Sequence, residues 1–215
     1  MTKKIRTLSG TEIVEGVEYN AHHPPDCLIK VMKRHLAERL LSEGAIRLGN
    51  LDYYRRWENA LLGDLNEGKG MFSMNEHPYE VGSGNPVYLW CAALPTITPQ
   101  RVNLLANHGG YDCVVRIHQP GELIQRLRLA KDKHFHLHCA EISYNRGTEV
   151  DKATLNSQMF HFNVFQKDAR FSEDQEYRIS LTDVRRRPEP FSHLDLSIGE
   201  CSDIMVIGGL PNIGT

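Results

Sequence analysis

The segment from Phe171 to Leu181, FSEDQEYRISL, carries the residue types and spacing best suited to chemistry. Alternate side chains of a strand share one face, so we expect Asp174, Glu176 and Arg178 to project together. Two carboxylates on this spacing stand about 7 Å apart and can both contact one sugar or one nucleophile. The neighbouring arginine is expected to keep Glu176 ionised at neutral pH. The alternative is a strand whose charged face points to solvent and pairs with its neighbours.

A second cluster of aromatic and basic side chains follows a strand-like segment, AIRLGN. It consists of Tyr53, Tyr54, Arg55 and Trp57. Such a cluster can stack on a planar ring and pair with a phosphate. The alternative is a set of core aromatics with arginines whose stems cover them.

Three histidines alternate in KHFHLHC, at His134, His136 and His138. An H-x-H pair on one strand face is a workable spacing for metal ligands. The outer two histidines are about 13–14 Å apart on a strand, so one ion cannot easily bind all three. A metal-dependent hydrolase is therefore one hypothesis, but solvent-facing histidines are the interpretation we favour, and no metal is expected.

Composition excludes several classes of protein. The chain has 215 residues, 25 basic and 27 acidic side chains, a formal net charge of −2, and 40% hydrophobic and 24% charged residues. This balance argues against a polycationic nucleic-acid or membrane binder, and no apolar run has the length of a membrane span. The first residues lack the apolar segment of a secretory signal. The five cysteines include no CxxC pair, so we expect reduced, buried thiols and a cytoplasmic protein.

The elements that must position these residues follow from periodicity and turn signals. Residues 1–16 are expected to be a loose leader, with a short strand over residues 16–20. Apolar residues four apart predict a helix from Leu28 to Glu43, with Asp26 as its N-cap and Gly44 at its end. AIRLGN is expected to be a strand that breaks into a turn, and residues 73–86 a loop.

The second half of the chain predicts further strands at VYLWCAAL, DCVVRIH, HFHLHCAEISY, residues 160–167, EYRISL and DIMVIGG. Helices are expected from Pro99 to about Asn107 and from Pro120 onward. With about seven strands and three helices, the chain is predicted to be α+β, with one domain over residues 17–215.

The order of these segments resembles a bacterial family known as a domain of unknown function, and also the ADP-ribosyltransferase-like superfamily. The similar segments are VEYN with Tyr19, HLAERLLSEGAIRLGNLDYYRRWENALLGD, VYLWCAAL, QKDARFSEDQEYRI with Lys167 and Phe171, and IMVIGG. The resemblance covers roughly residues 17 to 210, as a pattern of elements.

This resemblance implies two small packed, mostly antiparallel sheets that form a cleft for NAD. It implies Glu176 as the key carboxylate, with Asp174 assisting. The sequence departs from the superfamily's E-x-E pair, since Asp-Gln-Glu stands there, and it has no Ser-Thr-Ser strand. The residues expected to bind NAD are Tyr19, Arg47, Tyr53, Tyr54, Arg55 and Arg178, and the first-strand arginine or histidine of the superfamily has His22, His23 and Arg47 as candidates.

The implied activity is that of a glycosyltransferase that moves ADP-ribose from NAD to a protein, a nucleic acid or water, in a toxin or phage-conflict role. Cleavage of the nicotinamide–ribose bond passes through an oxocarbenium-like state, which a carboxylate stabilises. Glu176→Gln is accordingly expected to leave folding intact and abolish turnover. The alternative is a non-catalytic module that binds a nucleotide or a partner protein on the same fold.

Overall fold

Apolar strands assemble into one eight-stranded sheet in the computed structural model of the chain. The structure describes residues 5–6, 12–14, 17–19, 24–55, 64–82, 85–147, 149, 164–185 and 191–212. Within these ranges no helix is both long enough and apolar enough to cross a membrane.

The strands and helices are numbered along the chain. The strands are β1 Ile5–Arg6, β2 Glu12–Val14, β3 Val17–Tyr19, β4 Leu28–Met32, β5 Ala45–Asn50, β6 Lys69–Met74, β7 His77–Gly82, β8 Val87–Ala93, β9 Cys113–Ile117, β10 Phe135–Glu141, β11 Glu176–Asp183, β12 His193–Ser197 and β13 Met205–Gly208. The helices are α1 Arg34–Glu43, α2 Leu51–Arg55, α3 Pro99–Gly109 and α4 Pro120–Ala130, and a 3-10 helix spans Ala169–Asp174.

The large sheet has the strand order β10-β11-β8-β4-β9-β13, and β5 joins β12 to β8. Every pairing between these strands is antiparallel. The remaining strands form a three-stranded sheet, β1-β2-β3, and the hairpin β6-β7. The predicted α+β class and the mostly antiparallel pairing are therefore confirmed.

Both faces of the large sheet are covered, which explains why β8 and β11 read as continuous apolar or buried runs. Helices α1 and α4 pack on one face, where Leu40 and Leu127 meet Trp90 and Ile179 in the main core. On the opposite face, α3 packs through Val102. Two smaller clusters of buried apolar residues lie on that opposite face.

One edge of β8 is shared by two strands. β4 pairs with β8 at its end, where Ile29 lies opposite Ala93. β5 pairs with its beginning, where Gly49 lies opposite Leu89. The segment of β8 between these two pairings has neither partner along that edge, so the sheet forks there. One branch is β4-β9-β13 and the other is β5-β12.

The predicted helix from Leu28 to Glu43 is wrong in its first part. Residues Leu28–Met32 are strand β4, and the helix begins only at Arg34, with Lys33 rather than Asp26 at its N-cap. The apolar residues do have i, i+4 spacing. Residues Leu28–Met32 nevertheless pair with β8 and β9 and so form a strand of the sheet. The end of the helix at Gly44 is confirmed by its left-handed φ of 64°.

The predicted loop over residues 73–86 is also wrong, because much of it is the hairpin of β6 and β7. Asn75 and Glu76 have φ values of 52° and 66°, as a tight hairpin turn requires. Pro78 is tolerated since β7, among the strands that the structure describes, pairs with β6 alone. The described part of the predicted strand 160–167 is turn and an isolated bridge at Gln166. The described residues contain four α-helices, where about three were expected.

Candidate functional site

A cluster of charged side chains lies under the face of the sheet opposite the main core. Its base is β11, which sends Tyr177 and Ile179 into that core and Glu176 and Arg178 to the other side. The side chains of Glu176 and Arg178 are only 9% and 1% exposed. Arg178 Nε donates to Glu176 Oε1 at 2.5 Å, so the expected pairing of these two neighbours on one strand face is present.

Three other segments complete this charged cluster. The turn that ends in Gly68 supplies Glu67, whose carboxylate accepts two hydrogen bonds from the Arg178 guanidinium, at 2.5 and 2.9 Å. Lys167 Nζ lies 2.7 Å from Glu176 Oε2 and 3.6 Å from Asp174 Oδ2. Asp174 in turn accepts from Arg101 at 2.6 Å.

The charged cluster is electrically balanced, since three carboxylates face three cations. Burial opposes the ionisation of Glu176, but Arg178 and Lys167 outweigh it and hold the pKa of Glu176 well below its ordinary value. Burial likewise disfavours the Lys167 ammonium, yet Glu176 and Glu67 raise the pKa of Lys167 above its ordinary value. Both groups therefore stay charged through the neutral range, and each is fully paired.

Asp174 and Glu176 do not share a strand face. Asp174 ends the 3-10 helix, Gln175 follows with a left-handed φ of 46°, and the strand begins at Glu176. Their carboxylates meet through Lys167 instead. The alternative of a solvent-facing charged strand is wrong as well, since both faces of β11 are buried. The expectation that Glu176→Gln leaves folding intact conflicts with this burial.

The fork of the sheet opens a cleft of about 870 Å³, which lies within the usual size range of ligand sites. Its sides are β4, β5, β12 and helix α1, which connects β4 to β5. Aromatic rings from Tyr54, Trp90 and Tyr111 line it.

Lys30 lies where the strands separate. Its ammonium donates to the Cys91 carbonyl at 2.5 Å, on the stretch of β8 that pairs with neither β4 nor β5. The same ammonium lies over the ring of Trp90, 5.1 Å from its centroid. Burial lowers the pKa of Lys30, with Cys91 and Glu176 opposing that effect.

The outer wall of the cleft carries a series of exposed polar side chains that interact with one another. Arg47 makes a bidentate ion pair with Asp195 at 2.7 and 2.8 Å. His193 Nε2 lies 3.4 Å from the second oxygen of that carboxylate, and its Nδ1 is hydrogen-bonded to Ser192 Oγ at 2.9 Å. These groups are more than one-third exposed, so each pair contributes little to stability.

Cys91 connects the cleft to the charged cluster. Its carbonyl binds Lys30 in the cleft, while its thiol interacts electrostatically with Glu176 behind the strand. Burial and the Glu176 carboxylate raise the pKa of Cys91 well above its ordinary value, so this thiol is a poor nucleophile. All five cysteines are free thiols, and four of them are buried.

The residues expected to bind NAD fall into separate places. Tyr54 and Arg47 line the cleft, and Arg178 belongs to the charged cluster. Arg55 lines neither, because its guanidinium holds the Glu67 carbonyl at 2.5 Å and so fixes the turn that presents Glu67. The side chains of Tyr19 and Tyr53, and all of His22, His23 and Trp57, lie outside the described residues.

The histidine strand differs from its prediction. His136 and His138 lie on β10, but His134 precedes the strand, with its side chain 4.0 Å from Asp132. Among the residues the structure describes, no three histidine, cysteine or acidic side chains are grouped closely enough to hold a metal ion.

Sequence reasoning missed Glu67, Lys30 and Trp90 as site residues, and it noted Lys167 only through a resemblance. Glu67 is followed by Gly68, whose φ of 71° marks a tight turn, and this Glu-Gly pair in a polar stretch is the available signal. The predicted helix from Leu28 includes Lys30, so its position on a strand beside the cleft is not expected from the sequence. Its β-branched neighbours Ile29 and Val31 are the sequence signal for a strand.

Comparisons of the chain with protein-family models, with curated proteins and with solved structures give no match. A function for the chain therefore has to be argued from its own geometry.

Proposed function

We propose that the protein binds NAD in the cleft between β4 and β5 and transfers ADP-ribose from it, on an ADP-ribosyltransferase-like architecture. The observation that carries this proposal is the fork in the sheet. It combines aromatic and cationic side chains in one cleft with an ionised carboxylate directly behind the strand where the fork opens.

The lining of the cleft suits a dinucleotide. Tyr54 and Tyr111 line the cleft, and their rings can stack with a nicotinamide or an adenine. Trp90 is 4% exposed and supports the cleft from below, under the Lys30 ammonium. Arg47 offers a planar guanidinium to a phosphate, although a ligand has to compete with Asp195 for it. The cleft also has the volume for such a ligand.

The proposed chemistry breaks the C–N bond between ribose and nicotinamide. The bonding electron pair leaves with nicotinamide, the acceptor oxygen or nitrogen bonds to the ribose carbon, and the acceptor releases a proton. Positive charge that develops on the ribose is stabilised by a fixed negative charge nearby, and Glu176 is the proposed source. Arg178 and Lys167 keep Glu176 ionised, so no proton has to be lost before the reaction.

A non-catalytic nucleotide-binding module is the second candidate, and one observation favours it. Both carboxylate oxygens of Glu176 are already bound by Arg178 and Lys167. A carboxylate paired in this way can serve the fold alone, in which case the cleft binds a nucleotide without cleaving it.

Nicotinamide release from NAD by the purified protein separates the two candidates. A transferase releases nicotinamide in the presence of a cell lysate, and Glu176→Gln abolishes release while NAD binding persists. Because Glu176 is buried and paired, the variant's melting temperature must be measured beside its activity. Binding of NAD without release, by the wild type under all conditions, would favour the module, and absence of NAD binding would contradict both proposals for this nucleotide.

Glu38→Gln provides a matched control for this experiment. Glu38 is exposed on helix α1 and is not among the described residues that line the cleft. The same chemical change at this position should leave both nicotinamide release and melting temperature near the wild-type values.

A further inference from the structure

We propose that Lys30 is the anion-binding residue of the cleft and that it holds the diphosphate of a nucleotide. This inference rests on the proposed function for the nucleotide part of the ligand, but the anion site itself stands on the surroundings of Lys30.

The first argument is the missing counter-charge. The buried cations Arg178, Lys167 and Arg146 each contact a carboxylate, at 2.5, 2.7 and 2.6 Å. Among the described residues, Lys30 has no carboxylate within ion-pair distance, and its ammonium contacts the Cys91 carbonyl and the Trp90 ring. Lys30 is partly buried. A partly desolvated cation without an anion is less favourable than a hydrated one, so an anion arriving in the cleft gains more here than at the protein surface.

The second argument is the number of donors. An ammonium group has three N–H bonds. One is used by the Cys91 carbonyl, and the Trp90 ring engages the group only through its face. Donor capacity therefore remains for a ligand oxygen, in a residue that lines the cleft.

The third argument is the arrangement of charge around the cleft. The two carboxylates that line it, Glu43 and Asp195, are each bound to an arginine of the same lining, Arg39 and Arg47. These two pairs cancel, and Lys30 is left as the net positive charge. Burial lowers the pKa of Lys30, and a bound anion would oppose that effect.

A diphosphate is the anion that the lining fits best. Lys30 binds its oxygens as a compact point charge. Trp90 lies beneath the ammonium, and Tyr54 and Tyr111 line the same cleft, so an aromatic base linked to the diphosphate finds ring faces within it. The expected ligand class is a nucleoside diphosphate or a dinucleotide.

Calorimetric titration of the full chain with inorganic pyrophosphate, ADP-ribose and adenosine tests this site. We expect pyrophosphate and ADP-ribose to bind the wild type, and Lys30→Met to weaken both at least tenfold while adenosine is little affected. Lys33→Met is the matched control. Lys33 is exposed, and this substitution removes the same charge three residues away. Pyrophosphate and ADP-ribose binding to Lys30→Met with wild-type affinity would overturn the proposal.

A second measurement leaves Lys30 intact and so does not depend on the folding of Lys30→Met. The sequence contains two tryptophans, so Trp57→Phe makes Trp90 the sole fluorophore of its class. Pyrophosphate is expected to change Trp90 emission saturably, and absence of a saturable change would contradict the anion site. Lys30-dependent pyrophosphate binding without NAD binding or nicotinamide release would overturn the proposed function and leave the anion site standing.

Discussion

Arg178 on β11 forms a bidentate ion pair with Glu67, a residue 111 positions earlier in the chain. The same guanidinium binds Glu176 on its own strand and the carbonyl of Val164. One buried arginine thus joins the turn before β6, the segment before the 3-10 helix and strand β11. This relationship makes the charged cluster a structural requirement as well as a candidate site.

Removing the charge of Glu67 should destabilise the protein strongly. Glu67→Gln leaves Arg178 with one buried carboxylate in place of two, and breaking a buried pair in this way costs about 3–5 kcal/mol. Urea unfolding measures the loss. Glu43→Gln is the control, since the exposed pair of Glu43 with Arg39 is worth about 1 kcal/mol or less. Equal losses in the two variants would show that the cluster is not buried as described.

Stability should fall at acid pH through Glu176. Its pKa is lower in the folded protein than the ordinary value of 4.5, so its contribution is present above that value and is lost as the pH falls below it. The raised pKa of Lys167 acts in the opposite direction, and its contribution is present below 10.5 and is lost only as the pH rises above that value.

Unfolding free energies of the wild type and Glu176→Gln, measured from neutral to acid pH, test this assignment. The wild type should lose more stability than the variant across the acid range, because the variant has no carboxylate to protonate there. Parallel pH profiles for the two proteins would assign the acid sensitivity to other groups.

Gly44 and Gly110 should respond differently to the same substitution. Both end a helix with a left-handed φ, of 64° and 62°. A Cβ at Gly44 would collide with the backbone of Gly199, whereas a Cβ at Gly110 meets nothing within 4 Å. Gly110→Ala should cost about 1–2 kcal/mol from backbone strain alone, and Gly44→Ala should cost more. Thermal or urea unfolding compares them, and a larger cost at Gly110 would contradict the close approach at Gly44.

Helix capping tests where the helices of the protein begin. Thr98 accepts a hydrogen bond from the Arg101 amide at 3.2 Å and caps α3, so Thr98→Ala should cost about 1 kcal/mol. Asp26 caps no helix, because the segment that follows it is strand β4, and Asp26→Ala should change the unfolding free energy by less than half as much. A larger loss of unfolding free energy for Asp26→Ala than for Thr98→Ala would contradict strand β4 and support a helix that begins at Leu28.

Local signals in the sequence were sufficient where a segment's neighbours did not compete with them. The apolar run of β8, the Thr98-Pro99 start of α3 and the glycine end of α1 are visible in the sequence and present in the structure. The pairing of Glu176 with Arg178 on one strand face was also predictable, because a separation of two residues determines it.

Other features depend on contacts between distant segments, which no local pattern carries. The apolar residues of β4 have helical spacing, but the segment forms a strand because it pairs with β8 and β9. Glu67 meets Arg178 only after the turn docks on the sheet. The fork is a property of three strands at once, so neither the cleft nor Lys30 as its cation could be deduced from spacing.

Hydrogen–deuterium exchange of the full chain with and without NAD tests the central claim most directly. If NAD binds between the branches of the sheet, its presence should slow amide exchange in residues 30–32 of β4, in residues 45–47 of β5 and in residues 192–197. Unchanged exchange in all three segments at saturating NAD, or protection confined to residues outside the cleft, would contradict the account.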